Sequence, residues 1–395
     1  MAAYPAVLSV PDLPVPMPSA TTPAPTPAGA AERAPGDGAP PPVWTPDWSV
    51  EPLQGWHLPL LDDPALVSIQ PLAQRALLLA LPDRLMSAVS PRRPRAPQVL
   101  LALGRDPEGR SHALGLIGSR RLNRSGSCWQ VEHLLLSGEA GEARLCPGRR
   151  AVTIGLLQEA IQRARGAASW IATVDAADTA LLAALREQGF QPLRTDCLWR
   201  WQPPAVAPDQ EAQAAIGPAA DLQLRPLNRR TAALLWHLEQ AACPAQLRQL
   251  LDRRVEDLLD QSQGWGWMLV DPSRNQAVAG VRRLEEHPAG GHLVEFSLHP
   301  GWGHLLGPAT ERLLRRIAAH SPEAFWLQAE ASDDARRSWL KGLGAEPRGE
   351  QVLMARSVWR RQEGQGARGA ARRIEAVLEQ LQPRRRPLPT PVVPR

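Results

Sequence analysis

Two glutamates stand in the same strand-like setting, Glu132 in "WQVEHLLL" and Glu295 in "HLVEFSL". A carboxylate flanked by apolar residues either faces solvent by strand alternation or points into a partly buried cleft. In the second setting its pKa rises toward the range of a useful base. Beyond the second glutamate, "HPGWGHLLGPATERLL" runs through Gly301, Gly303 and Gly307 into helix-like sequence. A strand that passes through a glycine-bearing turn into a helix aims backbone N–H groups at an anion, and phosphate is the usual guest. The chemistry on offer is proton removal beside a held phosphate compound. His299, in a His-Pro strand stop, could assist; His133 and His292 read as surface or core histidines.

The cysteines narrow the options. Cys128, Cys146, Cys197 and Cys243 are scattered and form no C-x-x-C pair, which argues against a zinc site or a disulfide framework and fits a reducing cytosol. No basic stretch followed by an apolar one opens the chain, and no apolar run is long enough to span a bilayer. The expectation is a cytoplasmic protein without a metal. Net charge is +5, nearly all of the positive charge is arginine, and Lys341 is the only lysine. The one concentrated basic run, "RRRPLPTPVVPR", reads as a solubilising tail. Without a basic stripe interleaved with aromatics, a nucleic-acid partner is not expected.

With 395 residues, 44% apolar and 22% charged, the chain has room for about two domains with sizeable cores. An internal repeat supplies them. "LVSIQPL" and "LQLRPL" are short alternating strands closing on Pro-Leu, each followed by helix-like sequence. Strand pairs come next, "PQVLLALG" with "HALGLIGSR" and "GWGWMLVD" with "QAVAGVRRL", in which Gly115 and Gly280 hold the same place. Then come the Val-Glu strands, a turn, an amphipathic helix, and a closing strand, helix and strand. The pattern predicts a disordered Pro/Ala-rich arm over 1–48, a first domain over 49–203 and a linker over 204–219. A second domain follows over 220–361, and an amphipathic helix with the basic tail over 362–395.

This order of elements resembles the GNAT superfamily, the acyl-CoA-dependent N-acetyltransferases, from about residue 50 to residue 360. The end of each copy carries the most telling piece, an Ala-bearing helix and then Gly189-Phe190 or Gly344-Ala345. The resemblance implies an α/β (α+β) fold of two tandem GNAT-like domains, each a mixed, mostly antiparallel sheet flanked by helices. It implies acetyl-CoA as co-substrate, its pyrophosphate held at a turn written Q/R-x-x-G-x-G/A. The matching piece in the first copy is "RAVTIG", with Arg150, Thr153 and Gly155. In the second it is "HLLGPA", with His304, Leu305, Leu306, Gly307 and Ala309, and Leu298 at the end of the strand before it. It also implies Glu295 and Glu132 as the bases that remove the amine's proton.

The resemblance further implies a tyrosine on the last helix to protonate the leaving thiolate. Tyr4, the only tyrosine, lies in the arm; the corresponding positions are Leu185 in the first copy and Leu340 or Trp339 in the second, with Ser338 nearby. The expectation is therefore an N-acyltransferase acting on an unidentified amine with one copy active, the second favoured. The alternative is a catalytically depleted pair serving as an acyl-CoA-binding or protein-interaction scaffold, its partner met by the helical stripe Ile374, Val377, Leu378 and Leu381. Trp199 and Trp201, and Trp265 and Trp267, have strand spacing that puts each pair on one face, where core filling is expected.

Overall fold

The computed structural model describes residues 48–357 apart from 67–68, 71, 80–96, 106–108, 139–147, 165, 204–220, 263–264, 320 and 322. The arm up to residue 47, the linker, and the C-terminal helix with its apolar stripe lie outside the described residues. The first half runs β1 (Trp48–Pro52), β2 (Gln98–Arg105), β3 (Ser111–Arg121), β4 (Cys128–Leu136), α1 (Arg149–Arg163), β5 (Ser169–Asp175), α2 (Thr179–Glu187) and β6 (Gln191–Trp201). The second begins with β7 (Gln223–Pro226), α3 (Ala232–Ala242), α4 (Ala245–Leu251), α5 (Val255–Ser262), β8 (Gly266–Asp271), β9 (Gln276–Glu286) and β10 (His292–Leu298). It ends with α6 (Pro308–Ala318), β11 (Phe325–Glu330), α7 (Asp334–Gly342) and β12 (Glu346–Ser357). The fold is a mixed α/β one with a large, mostly antiparallel sheet, as the resemblance implied. Among the described residues no helix is long and apolar enough to cross a membrane.

One predicted strand is displaced. The edge of the first half is β1, paired antiparallel with β2, and not "LVSIQPL". Leu66 and Ile69 in that segment are buried together with Ala73 and Ala76, a spacing of about one helical turn, and residues 72–79 are helical. Helical period overrode the short alternation. In the second half "LQLRPL" does supply the edge, as β7 paired with β8. Gly115 and Gly280 both sit where a side chain has no room: a Cβ would lie 2.8 Å from the Leu135 carbonyl oxygen and 2.3 Å from Leu235 Cδ1.

The twelve strands among the described residues form one sheet, in the order β1-β2-β3-β4-β5-β12-β6-β11-β10-β9-β8-β7. The last strand of each half has crossed over. β12 pairs with β5 of the first half, β6 pairs with β11 of the second, and β6 and β12 pair with each other at the centre. Side-chain alternation makes the exchange a packing event. Cys197, Trp199 and Trp201 on β6 enter the second-half core with Val281, Leu313 and Phe325. Met354 on β12 enters the first-half core with Leu100, Leu156 and Trp170. The "WRW" pair fills a core, but the other half's. Trp267 is covered by the Arg316 guanidinium at 4.7 Å and Trp265 by that of Arg283 at 4.8 Å.

A second seam joins the halves beside the exchanged strands, where Leu122, Leu247 and Leu251 share a buried cluster with Leu353 and Ala355 of β12. The Asn123 side-chain amide donates to the Leu251 carbonyl at 3.0 Å, and that of Gln261 to the Leu122 carbonyl at 2.9 Å. The Arg124 fork grips Asp260 at 2.6 and 2.8 Å. Helices α4 and α5 are thereby docked on the β3–β4 turn of the first half.

Crossed strands make a measurable demand. Met354→Ala, a change in the second half of the sequence, should cost about 2–5 kcal/mol and should lower amide-exchange protection in β2–β5 more than in β8–β11. Urea titration and hydrogen exchange check this. Protection lost mainly in β8–β11 would contradict the packing described.

Candidate functional site

In each half the strand glutamate marks the point where two parallel strands part. β4 and β5 pair from Cys128–Ser169 to Val131–Ala172 and then separate, and Glu132 is the next residue. β10 and β11 pair from His292–Phe325 to Val294–Leu327 and then separate at Glu295. A bulge lies at each parting. On the first half Glu132 is itself the extra residue, between the pairs Gly118–His133 and Ser119–Val131. On the second the extra residue is Leu284, on the neighbouring strand β9. A bulge bends its strand and raises local twist, which drives neighbours apart. The opening leaves backbone groups of β10 without a strand partner, and the Phe296 carbonyl accepts from Arg336 Nη1 of α7 at 3.4 Å instead.

Neither glutamate is solitary. Glu295 pairs with Arg282 and lies 3.9 Å from Arg253. Arg282, 1% exposed, also holds Glu239 of α3 at 2.6 and 3.3 Å, and donates to the Gln261 side-chain oxygen at 3.3 Å. Arg253 approaches Glu239 at 3.7 Å. Two carboxylates and two guanidiniums thus close a quartet. Burial, with the neighbouring Glu295 charge, holds the Glu239 carboxyl above the usual carboxylate range while Arg282 and Arg253 pull against it. Glu239, Arg253 and Arg282 were not anticipated. The available signal was Arg282 itself, an arginine in phase with Gly280 in a strand buried from Ala277 to Arg282.

The first-half glutamate is closed in differently. Glu132 pairs with Arg120, which also donates to the Gln130 side-chain oxygen at 3.2 Å and stands 4.0 Å from Glu285 of the second half. Burial pushes the Glu285 carboxyl up to about 8, against the pull of Arg120. A cavity of about 110 Å³ opens beside Glu295, between α3, α4 and β10, and Glu132 is not part of its wall. Arg194 of the exchanged strand β6 reaches that wall.

The second-half turn forms where the motif put it. Leu298 ends β10, Pro300–Leu305 makes a 3-10 turn, and Gly307 caps α6 with φ at 146°, a conformation that side chains resist. Pro308 and Ala309 open the helix, and Thr310 Oγ1 accepts from the Gly307 N–H at 3.0 Å and donates to the Leu305 carbonyl at 3.1 Å. His304 packs on Trp302 at 5.4 Å, and Leu306 is half-buried. His299 caps the 3-10 turn through Nδ1, accepting from the Gly301 N–H at 3.1 Å. His292 Nε2 meets Ser321 Oγ at 3.0 Å, and burial lowers the pKa of both His292 and His133.

In the first half the turn lies earlier than the motif suggested, and this is a correction. α1 already starts at Arg149, capped by Gly148 with φ at 90°, so Thr153 and Gly155 lie inside the helix. The Thr153 hydroxyl donates to the Arg149 carbonyl at 3.0 Å, and a Cβ at Gly155 would sit 2.4 Å from Trp48. Gly155 accommodates an indole ring. Arg150, in the first helical turn, is exposed and paired with Glu187 at 2.6 Å.

On α7, Leu340 is buried in the second-half core, Trp339 packs on Phe296 at 5.0 Å, and Ser338 is exposed. Leu185 is buried in the first core. The α7 side chain in the cavity wall is Arg336. Among the described residues no group of three or more His, Cys, Asp or Glu side chains is placed to hold a metal ion.

No protein-family model matches the chain, and no curated protein matches it in sequence. Among solved structures it is similar to a GCN5-related N-acetyltransferase from Sphaerobacter thermophilus (15% identity over 78% of this chain and 95% of that one, TM-score 0.47). It is also similar to a tandem GNAT protein from the clavulanic acid biosynthesis pathway (16% identity, 79% and 98%, TM-score 0.48). An acetyltransferase of the GNAT family from Colwellia psychrerythraea is similar too (8% identity, 78% and 100%, TM-score 0.40). What the site can do follows from its own geometry.

The Glu285 environment generates a pH prediction. An unfolded glutamate ionises near 4.5 and the folded one at about 8, so within that window the unfolded chain gives up a proton that the folded chain keeps. Stability is full below the window and falls as pH rises through it. Glu285→Gln should flatten that fall and leave the protein more stable at alkaline pH by on the order of a few kcal/mol. Urea titrations at about pH 5 and about pH 9 read it; identical pH slopes in variant and parent would contradict it.

Proposed function

We propose that the chain is an acyl-CoA-dependent N-acyltransferase, using acetyl-CoA, whose second half carries the reaction. One observation supports this most: β10 leaves its parallel neighbour at Glu295, beside a cavity, and the same strand leads through a turn to the Gly307-capped start of α6. At the first-half parting Glu132 does not line that cavity, and the first-half motif lies inside α1.

The Gly307 turn has room for an anion. Nothing lies within 4 Å of where a Cβ would be, and the N-terminal N–H groups of a helix favour phosphate. His304–Gly307 and Ala309 are the residues that would hold the pyrophosphate. In the transfer, the amine nitrogen attacks the thioester carbonyl, the C–N bond forms and the C–S bond breaks. The amine's proton passes to Glu295, and the thiolate leaves to take a proton from water. Arg282 pairs with Glu295 and Arg253 stands 3.9 Å from it, which fixes the carboxylate in place.

The pairing also favours a second reading, a depleted pair that binds acyl-CoA without turnover. Both strand glutamates are paired with arginine, Glu132 with Arg120 and Glu295 with Arg282. We place the protein in the cytoplasm, on its scattered cysteines.

Calorimetric titration with acetyl-CoA should show one site per chain. Gly307→Val should weaken it about tenfold or more, since the turn needs both the backbone angle and the close approach. With an accepted amine, Glu295→Gln should lower kcat about 10²–10⁴-fold. Neither heat nor thermal stabilisation at millimolar acetyl-CoA would sink the acyltransferase reading. Binding without turnover on any amine would favour the second.

A further inference from the structure

The β3–β4 turn of the first half, residues 122–127, does more than dock two helices. The last carbonyls of any helix lack partners inside it, and at the end of α4 the first half supplies them. Ser169 Oγ on β5 donates to the Leu250 carbonyl at 2.5 Å. Asn123 Nδ2 donates to the carbonyls of Leu251 and Asp252 at 3.0 and 3.2 Å. Asp252 itself stands at φ 44° and ψ 45°, in the left-handed region where a Cβ is crowded. Its carboxylate accepts from Ser127 Oγ at 2.8 Å and from Ser125 Oγ at 3.3 Å. A strained angle persists where its surroundings fix it, and these holds come from the other half of the chain.

The next residue is Arg253. Its side chain is 8% exposed and reaches Glu239 at 3.7 Å and Glu295 at 3.9 Å. The left-handed step at Asp252 turns the chain out of α4, so the angle held there sets where Arg253 starts. α4 and the residues after it also supply Leu247, Arg248, Leu251 and Arg253 to the cavity wall. A second route runs beside this one. Gln261 of α5, 1% exposed, donates to the Leu122 carbonyl at 2.9 Å and accepts from Arg282 Nη1 at 3.3 Å. Arg282 in turn pairs with Glu295. Both guanidiniums at Glu295 are thus one residue removed from the same turn of the first half. Asn123 is itself 5% exposed, and its Oδ1 accepts from the N–H groups of Ser127 and Cys128 at 3.0 and 3.3 Å. Its own turn fixes it.

We infer that Asn123 is a positioning residue for the second-half site: it holds Asp252 and, through it, Arg253 against Glu295. The first half, whose own motif lies inside α1, thereby braces the site of the second. The kinetic consequence rests on the acyltransferase reading; the placement of Arg253 does not.

Asn123→Asp is the informative change. It is isosteric and keeps the acceptor for Ser127 and Cys128, but it sets a carboxylate against two carbonyls. Crystal structures should show Arg253 against Glu295 in the parent and displaced in the variant. With an accepted amine, kcat per acetyl-CoA site should fall about ten- to a hundredfold, with the Kd for acetyl-CoA unchanged. Counting sites by calorimetry removes any unfolded fraction. In an Arg253→Met background the same change should cost no further activity, because residues that act through one another are not additive. Ser127→Ala, which releases the Asp252 carboxylate, is the milder variant should Asn123→Asp fail to fold. It should shift Arg253 in the same way and lower kcat about threefold. Arg253 unmoved in the folded variants, or an Asn123→Asp loss that persists at full size without Arg253, would overturn the proposal. A parent that neither binds nor turns over acetyl-CoA would remove the acyltransferase reading, and the crystal structures would then decide the positioning alone.

Discussion

The pairing of β6 with β12 is the constraint on which the rest depends. Each strand belongs by sequence to one half and by packing to the other, so two cores are closed by two long antiparallel strands that also bond to each other. Burying Trp199, Trp201 and Met354 in the partner half puts apolar area of each core under the other's control. Local opening of one half therefore exposes the edge of its neighbour, and an exposed edge is costly to leave unpaired. The docked helices α4 and α5 make the same bargain on a smaller scale.

On that frame the two partings of the sheet have separate fates. Both occur right after a valine and both present a glutamate, because the same strand order recurs, although the bulge lies on the glutamate's own strand in one half and on its neighbour in the other. What surrounds them differs. Glu132 is enclosed by Arg120 and, from across the seam, Glu285; Glu295 opens on a cavity framed by α3, α4 and α7. Two arginines at Glu295 hold the carboxylate in a low-dielectric setting where an unpaired charge would be expensive. Pairing with Arg282 offsets the cost of that burial.

The repeat, the two Val-Glu strands and the glycine turn at Gly307 were all legible in the residues, since each is a local pattern. Strand alternation, an abrupt glycine and the start of an amphipathic helix depend only on near neighbours. The same locality explains the errors. "LVSIQPL" alternates over a few residues yet buries Leu66 and Ile69 at helical spacing. "RAVTIG" looks like a turn motif yet sits inside α1, because the helix begins at Gly148 and Gly155 is taken up by Trp48.

The sequence by itself determined the number of copies, the order of their elements, and which side chains were available for chemistry. Only the tertiary structure decided that the last strands cross, that Arg282 joins Glu239 to Glu295, and that Arg194 reaches a cavity in the other half. These contacts link positions tens to more than a hundred residues apart. Nothing in the local propensity of either partner encodes them; they follow from which faces were left to bury once the strands had formed.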